Sequence, residues 1–133
     1  APFPATSREI GTLKITGSGK MPDFKSAADT PWSAYASSVT KLELGAGVKT
    51  VGDYAFAGLT NLASADCASS VLESLGNGAF SGCVKLAALT GFDSVKIILA
   101  ECFKGCKAMT ASPIPAGCTS IGALAFSGTR SCS

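Results

Sequence analysis

The sequence contains no histidine. That removes the commonest general base at neutral pH and the commonest metal ligand. Charge is also scarce: charged residues make up 15% of the chain against 47% hydrophobic ones, and the formal net charge is +2. Such a balance argues against a nucleic-acid partner, and no basic cluster is interleaved with aromatics; Lys104 and Lys107 read as a solvated turn. No apolar run approaches the roughly 18 residues of a membrane span. There is no Gly-x-Ser-x-Gly elbow, and Gly17-Ser18-Gly19-Lys20 is too short for a phosphate-binding loop. The first residues, Ala1-Pro2-Phe3-Pro4-Ala5, lack the charged start and apolar stretch of a signal peptide, so any targeting sequence is absent or already removed. The expectation is a non-enzymatic chain with no catalytic residue, no cofactor and no metal.

What is present is a repeat. Tyr54-Ala55-Phe56-Ala57-Gly58, Gly78-Ala79-Phe80-Ser81-Gly82, Glu101-Cys102-Phe103-Lys104-Gly105 and Leu124-Ala125-Phe126-Ser127-Gly128 align on phenylalanines 24, 23 and 23 residues apart. A period in that range marks a solenoid, whose units bury their apolar faces only against one another. Other columns keep the same offset. Val39, Leu62, Leu86, Met109 and Cys132 form one; Leu42, Ala65, Leu89 and Ser112 the next; Leu44, Cys67, Gly91 and Ile114 a third. Together they spell the L-x-x-L-x-L strand of leucine-rich repeats. The later half of each unit supplies Val48, Leu72, Val95 and Cys118, then Val51, Leu75, Ile98 and Ile121. Gly52, Gly76 and Gly122 follow, with Leu99 as the exception; glycine there suits either a turn with positive φ or a close backbone approach. Ala55, Ala79, Cys102 and Ala125 before each phenylalanine imply a crowded position.

Upstream, residues 1–9 read as an unstructured lead-in. Thr12-Leu13-Lys14-Ile15-Thr16 alternates as a half-buried strand. A stack needs its first unit covered, so residues 10–38 are expected to form an N-terminal cap packed through Phe24, Trp32 and Tyr35. The rival role for Trp32 is ligand stacking. The single domain thus divides into a lead-in and cap over 1–38 and repeats over 39–133.

Leu75-Gly76-Asn77-Gly78-Ala79-Phe80-Ser81-Gly82-Cys83-Val84-Lys85-Leu86 resembles the BspA-type leucine-rich repeat family. The resemblance covers roughly residues 39–133, and the lead segment Gly11–Phe24 with Pro31-Trp32 is similar to one that often precedes such repeats. It implies a leucine-rich repeat solenoid: a short right-handed stack of 23–24-residue repeats, β-rich with short turns or helices, behind an N-terminal β cap. It also implies a secreted or surface-displayed protein concerned with adhesion. The alternative is a small structural subunit of a larger assembly, such as one inside an organelle.

Each cysteine occupies an apolar slot of the repeat, which favours buried free thiols. Cys83 and Cys106 are nonetheless vertical neighbours at a strand spacing of about 4.8 Å, within disulfide reach, and Cys118 with Cys132 is a second pair to weigh. Outward-pointing strand residues form the face repeat proteins use for recognition. Here the columns are Lys41, Ser64, Ala88, Ala111 and Glu43, Asp66, Thr90, Pro113, with Phe92 beside them; Phe92 and Pro113 fit equally well as groups that pack the loop beneath. Their small side chains suit another protein or a surface glycan. Glu43 and Asp66 read as a solvated acidic spot before a metal or acid–base pair, since Thr90 and Pro113 complete no coordination shell. Lys49, Glu73 and Lys96 read as a surface ladder of alternating sign. Lastly, no polar cap follows Ile121, Leu124 and Phe126, so that end is expected to expose an apolar edge for self-association or another subunit.

Overall fold

The computed structural model describes residues 5–9, 11–17, 19–67, 72–92, 94–109 and 117–128. Over residues 12–98 each turn of the chain lays one short strand in each of two sheets. The first sheet holds β1 (Ala5–Glu9), β2 (Thr12–Thr16), β4 (Lys41–Leu44), β6 (Ser64–Asp66) and β8 (Ala88–Thr90), in that order. The second holds β3 (Gly19–Lys20), β5 (Val48–Val51), β7 (Ser74–Leu75), β9 (Ile97–Ile98) and β10 (Ser120–Ile121). Every pairing is parallel except β1 with β2. Two 3-10 helices, Ala27–Asp29 and Ser33–Ser38, lengthen the first turn.

Alternation sets which side of each strand turns inward. In β4, Leu42 and Leu44 are buried while Lys41 is exposed. Parallel register then stacks like on like: Leu13, Leu42, Ala65 and Leu89 are successive partners across β2, β4, β6 and β8. β2 therefore joins the repeat stack 29 residues ahead of β4.

Residues 5–9 are a strand and not an unstructured lead-in. They pair with β2 from Ala5↔Thr16 to Glu9↔Thr12. The reason lies in β2's backbone: without β1 its outer N–H and C=O groups would face solvent as an open edge. Gly11, at φ 76°, makes the reversal.

The core is threaded by a ladder of rings. Trp32, Phe56, Phe80, Phe103 and Phe126 follow at centroid distances of 5.4, 5.5, 5.4 and 5.3 Å. Trp32 stands 24 residues before Phe56, so it occupies the ring position of the first turn. It is 1% exposed, which rules out ligand stacking on its indole. Phe24 packs edge-on against it at 5.8 Å. Phe92 joins the same core, 5% exposed and 6.3 Å from Phe80.

A backbone ladder runs beside the rings: the N–H of Phe56, Phe80 and Phe103 donates to the carbonyl of Ala79, Cys102 and Ala125 in the following turn. The first turn completes it differently. The Trp32 indole Nε1–H donates to the Ala55 carbonyl at 2.7 Å. One side chain therefore caps both the ring stack and the hydrogen-bond ladder.

Glycines serve two separate ends. Gly52, Gly76 and Gly122 are held by close backbone approach: a Cβ would lie 2.0 Å from the Pro22 oxygen, 2.6 Å from the Asp53 nitrogen and 2.3 Å from the Ala100 nitrogen. The positive φ belongs to the glycines after the rings, Gly58, Gly82, Gly105 and Gly128, at 74–81°. A second left-handed column holds Tyr54, Gly78, Glu101 and Leu124, with φ between 57° and 61°. In that column only Gly78 escapes the side-chain penalty.

None of Cys67, Cys83, Cys102, Cys106 and Cys118 is joined in a disulfide. The Cys83–Cys106 disulfide is not formed. Each of those sulfurs reaches back a turn instead: Cys83 Sγ donates to the Phe56 carbonyl at 3.1 Å and Cys106 Sγ to the Phe80 carbonyl at 3.2 Å. Ser112, Ile114 and Cys132, and with Cys132 the Cys118 pairing, lie outside the described residues.

Candidate functional site

The outward positions of the first sheet come together as the repeat spacing requires. Lys41, Ser64 and Ala88 are successive register partners, and so are Glu43, Asp66 and Thr90. Strand β2 adds two residues that the repeat columns do not contain: Thr12 pairs with Lys41 and Lys14 with Glu43. Their signal was present in Thr12-Leu13-Lys14-Ile15, which has the same alternation as Lys41-Leu42-Glu43-Leu44. The 29-residue offset, longer than the later period, hides it. Two parallel columns result, Thr12–Lys41–Ser64–Ala88 and Lys14–Glu43–Asp66–Thr90.

The face is polar and self-bonded. Lys41 Nζ lies 3.4 Å from Glu43 Oε1, and Thr90 Oγ1 donates to Asp66 Oδ1 at 3.2 Å. A hollow of about 160 Å³ opens among Lys14, Glu43, Leu44, Gly45 and Asp66. Among the described residues no group of three or more Cys, Asp or Glu is placed to hold a metal ion. Phe92, expected beside this face, lies beneath it in the core, because its ring fills space next to Phe80. Ala111 and Pro113 lie outside the described residues. In the last described turn Ile121 is 46% and Leu124 57% exposed, while Phe126 is buried against Phe103.

Burial favours the protonated form of four thiols. Desolvation pushes Cys67 up, aided by the charge of Asp66; Cys83 and Cys102 rise for the same first reason, aided by the neighbouring Cys106. Cys106 is pushed up to about 12 by desolvation. The nucleophilic thiolate form is thus disfavoured at all four.

The second sheet carries the larger concavity, about 600 Å³. Beside it runs a ladder of acidic and amide side chains. Asp23 Oδ1 accepts the Asp53 N–H at 2.9 Å, Asp53 Oδ1 the Asn77 N–H at 2.8 Å, and Asn77 Oδ1 the Ala100 N–H at 3.2 Å. On the opposite side Lys49, Glu73 and Lys96 stack through their backbones, Glu73 N–H to Lys49 O at 2.7 Å and Lys96 N–H to Glu73 O at 2.8 Å. Their side chains form no ion pair within 4.0 Å among the described residues; the pairs lie elsewhere, at Lys41–Glu43 and Lys104–Glu101. Exposed long side chains gain too little in water to be held together.

Parallel strands in register, a ring ladder and an outward polar face define a leucine-rich repeat solenoid. The chain belongs to the BspA-type leucine-rich repeat family, whose model, a repeat region of six copies, matches residues 33–133. Scaffolds of this kind are in general protein-binding or adhesion modules. Among solved structures, a leucine-rich repeat protein of Eubacterium ventriosum superposes with a TM-score of 0.82 at 28% identity, over 90% of this chain and 31% of that one. The leucine-rich repeat protein of T. pallidum gives 0.66 at 24% identity, over 94% and 64%. A leucine-rich cell surface protein of Faecalibacterium prausnitzii gives 0.54 at 18%, over 99% and 56%. The chain therefore spans less than two thirds of each. No curated protein matches it by sequence. Among the described residues no helix is long and apolar enough to cross a membrane.

Proposed function

We propose that this protein is a non-enzymatic adhesion or binding module, working outside the cell or on its surface, that docks another protein or a glycan on its first sheet. One observation carries the reading: eight outward residues from four strands, β2, β4, β6 and β8, stand in two unbroken columns. Lys14, Lys41, Ala88 and Thr90 in those columns are exposed, and Thr12, Glu43, Ser64 and Asp66 are half-buried. Short side chains and a shallow hollow suit a broad partner surface better than an engulfed small molecule. The cap end offers both charge signs, and the far end offers Ala88 and Thr90.

The test is binding of the purified chain to a glycan array and to a panel of immobilised extracellular-matrix proteins, beside the double variant Glu43→Arg, Asp66→Arg. Binding that falls at least about tenfold in the variant supports the reading. Binding that is unchanged refutes it. A second reading, a subunit held through its last described turn, is favoured by the exposure of Ile121 and Leu124. It predicts co-purification with one partner in fixed stoichiometry, or self-association abolished by Leu124→Lys.

A further inference from the structure

A concavity of about 600 Å³ lies on the second sheet, away from the face assigned above. Its floor is a column of register partners, Lys20, Thr50, Ser74 and Ile97, one from each of four adjacent strands. Three strand steps of about 4.8 Å make a trough roughly 14 Å long. At about 3.3 Å per residue that is the length of four or five residues of extended chain.

The trough owes its depth to two positions in the repeat. Gly52 and Gly76 sit so close to the preceding turn that a Cβ would overlap its backbone, so no side chain rises there. In the third turn the pattern breaks. Leu99 stands in the glycine column, 36% exposed, and beside it Ile97 replaces the hydroxyl residues Thr50 and Ser74, 39% exposed. The trough is thus open and polar over two turns and ends on two exposed aliphatic side chains.

Its charges do not neutralise one another, and Asp53 is positioned by Asn77, whose backbone N–H and side-chain amide both reach its carboxylate. Asp23 and Asp53 are held by their backbone hydrogen bonds on one wall, and Glu73 and Lys96 lie on the other. None of them, nor Lys20 at the cap end, is in an ion pair within 4.0 Å among the described residues. Three carboxylates against two ammonium groups leave the middle of the trough acidic. No aromatic ring lines it, so a sugar would find no stacking platform.

We propose that this trough is a second docking site, for an extended polypeptide segment of a partner protein. The segment presents an aliphatic side chain to Ile97 and Leu99, and two residues on, about 7 Å away, a lysine or arginine to Glu73 and Asp53. The aliphatic contact removes apolar surface from water, and the cation meets carboxylates that no ammonium group of the described residues pairs with.

The test uses two blocked pentapeptides of alternating serine, one with leucine and lysine at its second and fourth positions, the other with leucine and glutamate. Each is titrated into the ¹⁵N-labelled protein while backbone amide shifts are followed. The lysine peptide should shift Ser74, Gly76, Asn77, Ile97 and Leu99, and the glutamate peptide should bind at least about fivefold more weakly. Leu99→Gly, which restores the residue found in the other three turns, should weaken both, and Glu73→Lys should reverse the charge preference. Shifts confined to Lys41, Ser64 and Asp66, equal binding of the two peptides, or no shift at 10 mM would overturn the assignment. Because the trough shares no residue with the first-sheet face, failure here leaves the Glu43→Arg, Asp66→Arg experiment to stand or fall independently.

Discussion

Raising the pH should unfold this protein through its buried thiols, and the size of the effect can be worked from the structure. Cys67, Cys83, Cys102 and Cys106 are each 0% exposed, and burial raises the thiol of every one above the ordinary value of 9.0. A raised thiol keeps its proton in the folded chain while the unfolded chain loses it. Stability is therefore fully present below about pH 9 and falls as the pH climbs from there towards the folded values, the lowest of which is about 12. At pH 10 the unfolded chain holds each thiol about nine-tenths ionised, which is worth about 1.4 kcal/mol per thiol. Four such groups together remove about 6 kcal/mol, against a total stability of roughly 5–15 kcal/mol for a domain. The assay is urea denaturation at pH 7, 8.5, 9.5 and 10.5 under reducing conditions, followed by circular dichroism. Cys102→Ala supplies the control, because Ala55, Ala79 and Ala125 already occupy that column, and it should diminish the alkaline loss by about a quarter. A midpoint that stays flat from pH 8.5 to 10.5 would refute the reasoning, as would an equal fall in wild type and Cys102→Ala.

Two further outcomes follow from the ladders. Trp32→Phe preserves a ring above Phe56 but leaves the buried Ala55 carbonyl without its donor, and should cost about 1–3 kcal/mol in the same denaturation assay. The two glycine columns should differ in sensitivity. Gly82→Ala meets nothing closer than 3.8 Å and bears only a left-handed penalty of about 1 kcal/mol, whereas a Cβ at Gly76 falls 2.6 Å from the Asp53 nitrogen. Gly76→Ala should therefore lower the melting temperature far more than Gly82→Ala, and equal shifts would contradict the close-approach account.

The repeat was legible because it is one-dimensional. Each unit buries its apolar face only against the next, so Phe56, Phe80, Phe103 and Phe126 had to recur at a near-constant offset, and residues facing outward had to align with them. That is why Lys41, Ser64 and Ala88 form one column and Glu43, Asp66 and Thr90 another, as counting alone implied. Phe92 shows where counting stops: spacing places a residue in a turn but cannot say whether its ring points out or in.

What the sequence by itself determined is the set of contacts between like positions: the solenoid, its period and the inward columns. Tertiary structure decided whatever depends on how the first turn meets the second. A 29-residue offset brought Lys14 beside Glu43, and Ala5–Glu9 closed an edge that only the assembled sheet possesses. The Trp32 indole took over a backbone donor's place because only packing aimed it at the Ala55 carbonyl. The trough on the second sheet is equally invisible to counting, since its depth comes from glycines pressed against the preceding turn and its end from Leu99, the one residue that departs from them.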